Sequence, residues 1–224
     1  MGRFQQSKGE RGSQKWLQEA VNVNPMVLDR LILPHLSGAS TLTWLSPLAA
    51  DHYAEYRDAE FLGKIGASQL TIELANFWPD WGPQWDALAR SERGEILMVE
   101  AKAHIDELCS KATQAGPVSR TKIEEALRET SSYLGAQLRA SWSDLFYQLT
   151  NRIAHLYFLR KHGLDAWLIL VNFIGDGDMK GPMTAAEWEA AYEIVWYVLG
   201  LVKDHKLRRY IVDIYPSVTP QVNA

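Results

Sequence analysis

The chain has 224 residues, of which 47% are hydrophobic and 22% charged, and its formal net charge is −4. That length and composition suit one globular domain with a sizeable core. They exclude a global positive field that would draw the chain to nucleic acid, although a local basic groove would still serve phosphate.

One cysteine, Cys109, excludes an intrachain disulfide framework and fits a reducing compartment. Residues 1–13 hold no apolar signal region, and no run reaches about 18 uninterrupted apolar residues. The longest apolar stretch, Ala190 to Val202, is broken by Glu193. A cytoplasmic protein with no membrane partner is the expectation.

Residues 1–12 are rich in Gly, Gln and charge and read as a flexible arm. A single domain over 13–224 follows, with a helical opening portion. A helix is expected from Ser13 and another over Met26 to Leu33, stopped by Pro34. Pro47 suits the first turn of a helix running to about Leu62, with Gly63 and Gly66 breaking it. Ser68 can cap a helix over Gln69 to Phe77, with Leu70, Glu73, Leu74 and Phe77 on its inward stripe.

A loop, Pro79-Asp80-Trp81-Gly82-Pro83, leads to two strands, Trp85 to Arg90 and Glu95 to Ala103. Ser91-Glu92-Arg93-Gly94 joins them as a hairpin. Helices are expected over Thr121 to Leu138 and Trp142 to Lys161, the second closed by Gly163. Trp167 to Ile174 is a buried strand. Thr184-Ala185-Ala186-Glu187 is a capping box opening a helix to about Val202, and Arg209 to Tyr215 is a last strand. This order predicts a mixed α/β fold with a sheet flanked by helices.

The run Ile96-Leu97-Met98-Val99 ends in Glu100-Ala101-Lys102. Side chains alternate along a strand, so Ile96, Met98, Glu100 and Lys102 share one face. Apolar residues on both faces mark a strand buried on both sides. A hairpin centred near Arg93 sets Asp86 opposite Glu100, seven residues away on each arm. Directly opposed side chains have Cβ atoms roughly 4.5–5.5 Å apart, so the two carboxylates repel unless a cation sits between them. A hard dication resolves the conflict, since Mg²⁺ uses one or two carboxylates with water and phosphate. Lys102 can then orient a water and stabilise charge on phosphorus. The plainer reading is a cross-strand ion pair between Lys102 and either acid.

Trp85-Asp86-Ala87-Leu88 followed by Ile96-Leu97-Met98-Val99-Glu100-Ala101-Lys102 resembles the PD-(D/E)XK nuclease superfamily. The resemblance implies a restriction endonuclease-like core of helix, three-stranded meander, helix and strand, with extra N- and C-terminal helices. It implies hydrolysis of nucleic acid, DNA first, with Mg²⁺ or Mn²⁺. Asp86 and Glu100 would hold the metal with the carbonyl of Ala101, and Lys102 would assist the water. The family's leading proline is displaced here, Pro83 standing three residues before Asp86. Relatives add an acid from a preceding helix, for which Glu55 and Glu73 are both candidates. Gln148 and Arg152, spaced i, i+4, would face the nucleic acid, with Arg152 holding a phosphate bidentately. Cutting both strands would suit a homodimer. The rival expectation is an inactive nucleic-acid-binding or protein-interaction module on the same scaffold.

Weaker signals remain. Lys203, His205, Lys206, Arg208 and Arg209 read as a solvated helix end. His104 lies two residues past Lys102. Trp78, Trp81 and Trp85 cluster near the proposed site, either to pack or to stack on bases. Ser13-Gln14-Lys15-Trp16-Leu17-Gln18 is an unusually polar helix opening.

Overall fold

A computed structural model of the chain describes residues 2–218. Met1 and residues 219–224, the ends of the expected arm and domain, lie outside the described residues. The fold is mixed α/β. In chain order its helices are α1 (Gly12–Asn22), α2 (Met26–Ile32), α3 (Asp58–Lys64), α4 (Thr71–Phe77), α5 (Pro117–Leu134), α6 (Tyr147–Lys161) and α7 (Ala185–Leu199). Its strands are β1 (Arg3–Phe4), β2 (Leu42–Ser46), β3 (Glu55–Tyr56), β4 (Ala87–Ser91), β5 (Ile96–Lys102), β6 (Ala166–Asn172) and β7 (Ile211–Ile214).

Five strands form one sheet in the order β2-β4-β5-β6-β7, antiparallel from β2 to β5 and parallel from β5 to β7. Every residue of β5 and β6 is buried, because helices cover both faces. Leu17, Val21, Leu28 and Ile32 of α1 and α2 pack with Leu97, Val99 and Ala101 on one face. Helices α3 to α7 pack on the other, against Ile96, Met98, Leu168 and Leu170. Along α5, Ile123, Ala126, Leu127, Thr130 and Leu134 turn inward at helical spacing. Helix α6 is buried continuously from Leu149 to Leu159 and forms the middle of its layer. No helix among the described residues is long and apolar enough to cross a membrane.

The hairpin pairs Ala87 with Val99, Leu88 with Met98, Ala89 with Leu97 and Arg90 with Ile96. Its centre therefore falls at Arg93, and the next step of the register sets Asp86 against Glu100. The capping box of α7 forms: the Thr184 hydroxyl accepts from the Glu187 N–H, and the Glu187 carboxylate accepts from the Thr184 N–H.

The structure departs from the sequence reading at several points: the helices expected over Thr121 to Leu138 and Trp142 to Lys161 are Pro117–Leu134 and Tyr147–Lys161, Gly135 and Phe146 being left-handed. No helix spans Pro47 to Leu62; His52, Tyr53 and Asp58 all take left-handed φ values of 53°, 50° and 52°, which interrupt any helical run. The segment instead makes a 3-10 turn, β3 and the start of α3. Leu42–Ser46, unassigned from sequence, becomes the sheet's edge strand β2. Residues 3–9, expected to be a flexible arm, are tied to the body. Arg3 and Phe4 pair with Tyr56 and Glu55, the Gln6 N–H donates to the His52 carbonyl at 3.1 Å, and the Gly9 N–H donates to Gln18 Oε1 at 2.8 Å.

Gly200 ends α7 at φ 72°. A Cβ there would stand 2.0 Å from the Gln137 carbonyl oxygen. Gly200→Ala is therefore expected to cost roughly 2 kcal/mol through left-handed strain and displacement of that contact. At this chain size that lowers Tm by about 4–8 °C, measurable by a thermal melt.

Candidate active site

The site forms where the hairpin outruns its partner. Strand β4 begins at Ala87, while β5 continues to Lys102 alongside β6. Beyond Val99, β5 keeps a neighbour on one side only. The side chain of Asp86 fills the gap on the other: its Oδ2 accepts from the Ala101 N–H at 2.8 Å. A strand residue's N–H and C=O point to the same side, so the Ala101 carbonyl faces that gap too.

Glu100 is only 4% exposed. Its Oε1 accepts from Lys102 Nζ at 2.5 Å and its Oε2 from Arg152 Nε at 2.6 Å. Burial alone would raise its pKa, but Arg152 and then Lys102 outweigh burial and hold it below the usual carboxylate range. Burial likewise works against the Lys102 charge, but Glu100 and Asp86 overcome it and raise the ammonium's pKa. Lys102 also donates to Gln148 Oε1 at 3.1 Å. It stays charged, so its contribution is electrostatic.

Asp86 is the opposite case. Burial, reinforced by the negative charges of Glu100 and Glu55, pushes its pKa up to about 8 against the pull of Lys102 and Arg152. Glu55 is raised in the same way, by burial first. Its Oε2 accepts from Gln84 Nε2 at 2.6 Å and from Gln6 Nε2 at 3.0 Å. Three acids thus meet around two cations.

Of the two candidate extra acids, Glu55 joins the cluster and Glu73 does not. Glu55 arrives from β3 rather than from a helix. Glu73 is exposed, while Leu70 and Leu74 are buried. A 3-10 turn over Ser68–Leu70 precedes the short α4 and rotates Glu73 off the expected inward stripe.

Gln148 and Arg152 lie on one side of α6, but only Arg152 is buried; Gln148 is exposed and reaches in through its Oε1 to Lys102. Arg152 is not placed to take a phosphate. Besides Glu100, it donates to the Gln84 carbonyl at 2.7 Å and Asn151 Oδ1 at 2.9 Å. Its guanidinium also lies 4.9 Å from the Trp85 ring centroid. One turn on, His155 is buried between Trp78 and Trp85. Burial pushes its pKa down to about 3, so it is neutral packing and not an acid–base group. His104 is held in a turn by Glu107.

A cavity of about 50 Å³ opens beside Asp86, lined by Glu55, Ala101, Pro47 and, from α1, Ser13, Gln14 and Gln18. These glutamines, with Gln6 and Gln84, are the residues sequence reasoning missed. The polar opening of α1 was the signal: Gln14 and Gln18 share one helix face, and Gln18 is buried on a face with Leu17 and Val21. Gln84 lies two residues before Asp86, at the matching strand parity.

The Asp86 and Glu55 carboxylates and the Ala101 carbonyl are oxygen donors of the kind a small hard dication takes, and a dication would offset the burial and the neighbouring acids that raise the pKa of Asp86. Among the described residues no three His, Cys, Asp or Glu side chains form a ready metal cluster. Glu100, the remaining acid, has both oxygens engaged by cations. Comparison with protein-family models, curated proteins and solved structures finds no match to the chain.

Proposed function

We propose that the chain is a Mg²⁺- or Mn²⁺-dependent nuclease of PD-(D/E)XK type, acting on nucleic acid and first of all on DNA. The observation that carries this reading is Asp86. It stands one register step beyond the paired hairpin, across from Glu100, with its proton affinity raised by burial and by two neighbouring acids. An isolated structural ion pair would have no need of that third acid. The sheet supports the same reading: β2, β4 and β5 are antiparallel neighbours, with β3, α3 and α4 inserted between β2 and β4 in the chain, and helices α5 and α6 lead on to parallel β6.

Asp86, Glu55 and the Ala101 carbonyl would hold the metal, with Glu100 as the neighbouring acid. The chemistry a bound dication supplies is Lewis acidity and neutralisation of phosphate charge. Lys102, kept cationic by Glu100 and Asp86, orients water and stabilises negative charge developing on the phosphoryl oxygens. Gln148 fixes the ammonium's position. Arg152 positions Glu100 and touches no substrate. Hydrolysis adds water across one P–O bond, the hydroxyl going to phosphorus and the proton to the leaving oxygen.

Purified chain is expected to cleave DNA only with Mg²⁺ or Mn²⁺. Asp86→Asn and Lys102→Ala are each expected to lower the rate by about 10²-fold or more, with circular dichroism unchanged. Full activity in either folded variant would defeat the reading.

One observation favours a second reading, an inactive binding module on this scaffold: both oxygens of Glu100 are taken by Lys102 and Arg152. Calorimetric titration with Mn²⁺ separates the two. Metal binding with cleavage supports the nuclease; no metal binding supports the module.

A further inference from the structure

The three tryptophans grouped near the site divide sharply. Trp78 is 3% exposed and Trp85 0%, whereas Trp81 is 75% exposed. Trp81 also sits at φ 70°, a left-handed conformation that bulky residues seldom adopt. The conformation is clamped from outside the loop. Asp58 Oδ2 accepts from the Trp81 N–H at 3.2 Å, and its Oδ1 accepts from the Gly82 N–H at 2.9 Å. A Cβ on residue 82 would stand 2.8 Å from Asp58 Oδ1, so glycine is what admits the carboxylate.

The Arg57 guanidinium lies 4.1 Å from the Trp81 ring centroid. One face of the indole therefore carries a cation, and the exposure belongs to the other face and the edges. A large ring held rigid in solvent, on a backbone it does not prefer, is the form of a binding surface. Its neighbours Asp58 and Asp80 are acidic, a residue type depleted from the core of protein–protein interfaces.

The ring is close to the site. Trp81 precedes Asp86 by five residues, a chain length that spans at most about 17 Å. Arg57 follows Glu55 by two residues, and the Trp85 N–H donates to the Tyr56 carbonyl at 3.1 Å, joining the two segments. A strand whose phosphate reaches Asp86 therefore has Trp81 within reach of a few nucleotides.

We propose that Trp81, backed by Arg57, is a stacking platform for an unpaired nucleobase, so that the substrate of the Asp86–Glu100–Lys102 site carries a single-stranded stretch. This rests on the nuclease reading. Every base has a π face, so stacking is tolerant of sequence. A base inside a duplex has both faces covered and cannot use the platform. The guanidinium behind the indole holds the ring in place, so stacking orders little that is not already ordered.

The test is fluorescence anisotropy of the full chain without divalent cation, using a labelled single-stranded oligodeoxynucleotide and a blunt duplex of equal length. Trp81→Ala is expected to weaken single-strand binding about 5- to 150-fold. Trp81→Phe stays within a few-fold of wild type, and neither change alters duplex binding. The inference is overturned by an unchanged Kd in Trp81→Ala, by equal losses on both DNAs, or by wild-type chain that binds no single strand. The two proposals fail separately. A Trp81-dependent Kd in a chain that shows no Mg²⁺-dependent cleavage defeats only the nuclease; cleavage lost in Asp86→Asn beside a Trp81-independent Kd defeats only the platform.

Discussion

Arg152→Ala is expected to destabilise the fold by about 3–5 kcal/mol, the usual cost of removing one partner from a buried ion pair. Glu100 sits in a strand buried on both faces, and its two oxygens are served by two different cations. Without the guanidinium, one oxygen of a desolvated carboxylate loses its charge-assisted partner, and the Gln84 carbonyl loses its donor as well. Arg152→Lys keeps a charge but not the fork that serves Glu100, Asn151 and Gln84 together, so it should recover only part of the loss. Urea denaturation reads both variants. A cost under about 1 kcal/mol for alanine, within the range of exposed pairs, would show that Glu100 does not depend on this clamp.

Asp86→Asn is expected to stabilise the metal-free chain, and more so as pH rises. An unfolded aspartate titrates near 3.9, whereas folded Asp86 is pushed up to about 8. Between those values the folded state binds the extra proton, so wild-type stability falls as pH increases. The contribution is whole below about pH 4 and is lost as pH passes through about 8. The slope at its steepest is about 1.4 kcal/mol per pH unit. The amide in the Asp86→Asn variant does not titrate and carries no such dependence. Thermal melts of both proteins at pH 5 and pH 9 should therefore show a gap in Tm that widens with pH; a constant gap would refute the assigned proton affinity. The same proton would compete with the proposed dication, so on that reading Mn²⁺ affinity in wild type should climb with pH and level off above about 8.

The part of the site carried by the hairpin was legible because it is local. Seven residues on either side of Arg93 set the pairing of Asp86 with Glu100, and alternation placed Glu100 and Lys102 on one face of β5. The Thr184 capping box and the buried β6 were legible for the same reason. What sequence could not give depends on contacts between distant segments. Glu55 reaches the cluster because β3 is held between Arg3 and Phe4, some fifty residues earlier, and Trp85, some thirty residues later. The left-handed residues that undo the expected helix over Pro47 to Leu62 are held by the surrounding fold, Asp58 through bonds to Trp81 and Gly82. The spacing of Gln148 and Arg152 was readable, but whether Arg152 looked outward or toward Glu100 was not. Helix α6 is buried almost all round, and its periodicity carries little directional information.

The ties on segment 6–9 carry a consequence for access. Gln18 accepts from the Gly9 N–H and donates to the Ser7 carbonyl, and Gln6 donates to Glu55 beside the cavity. Most of these latches are uncharged amides, so ionic strength has little purchase on them, while contacts to a polyanion weaken steeply with added salt. Raising salt should therefore loosen the proposed grip on nucleic acid and leave the cavity beside Asp86 as narrow as before.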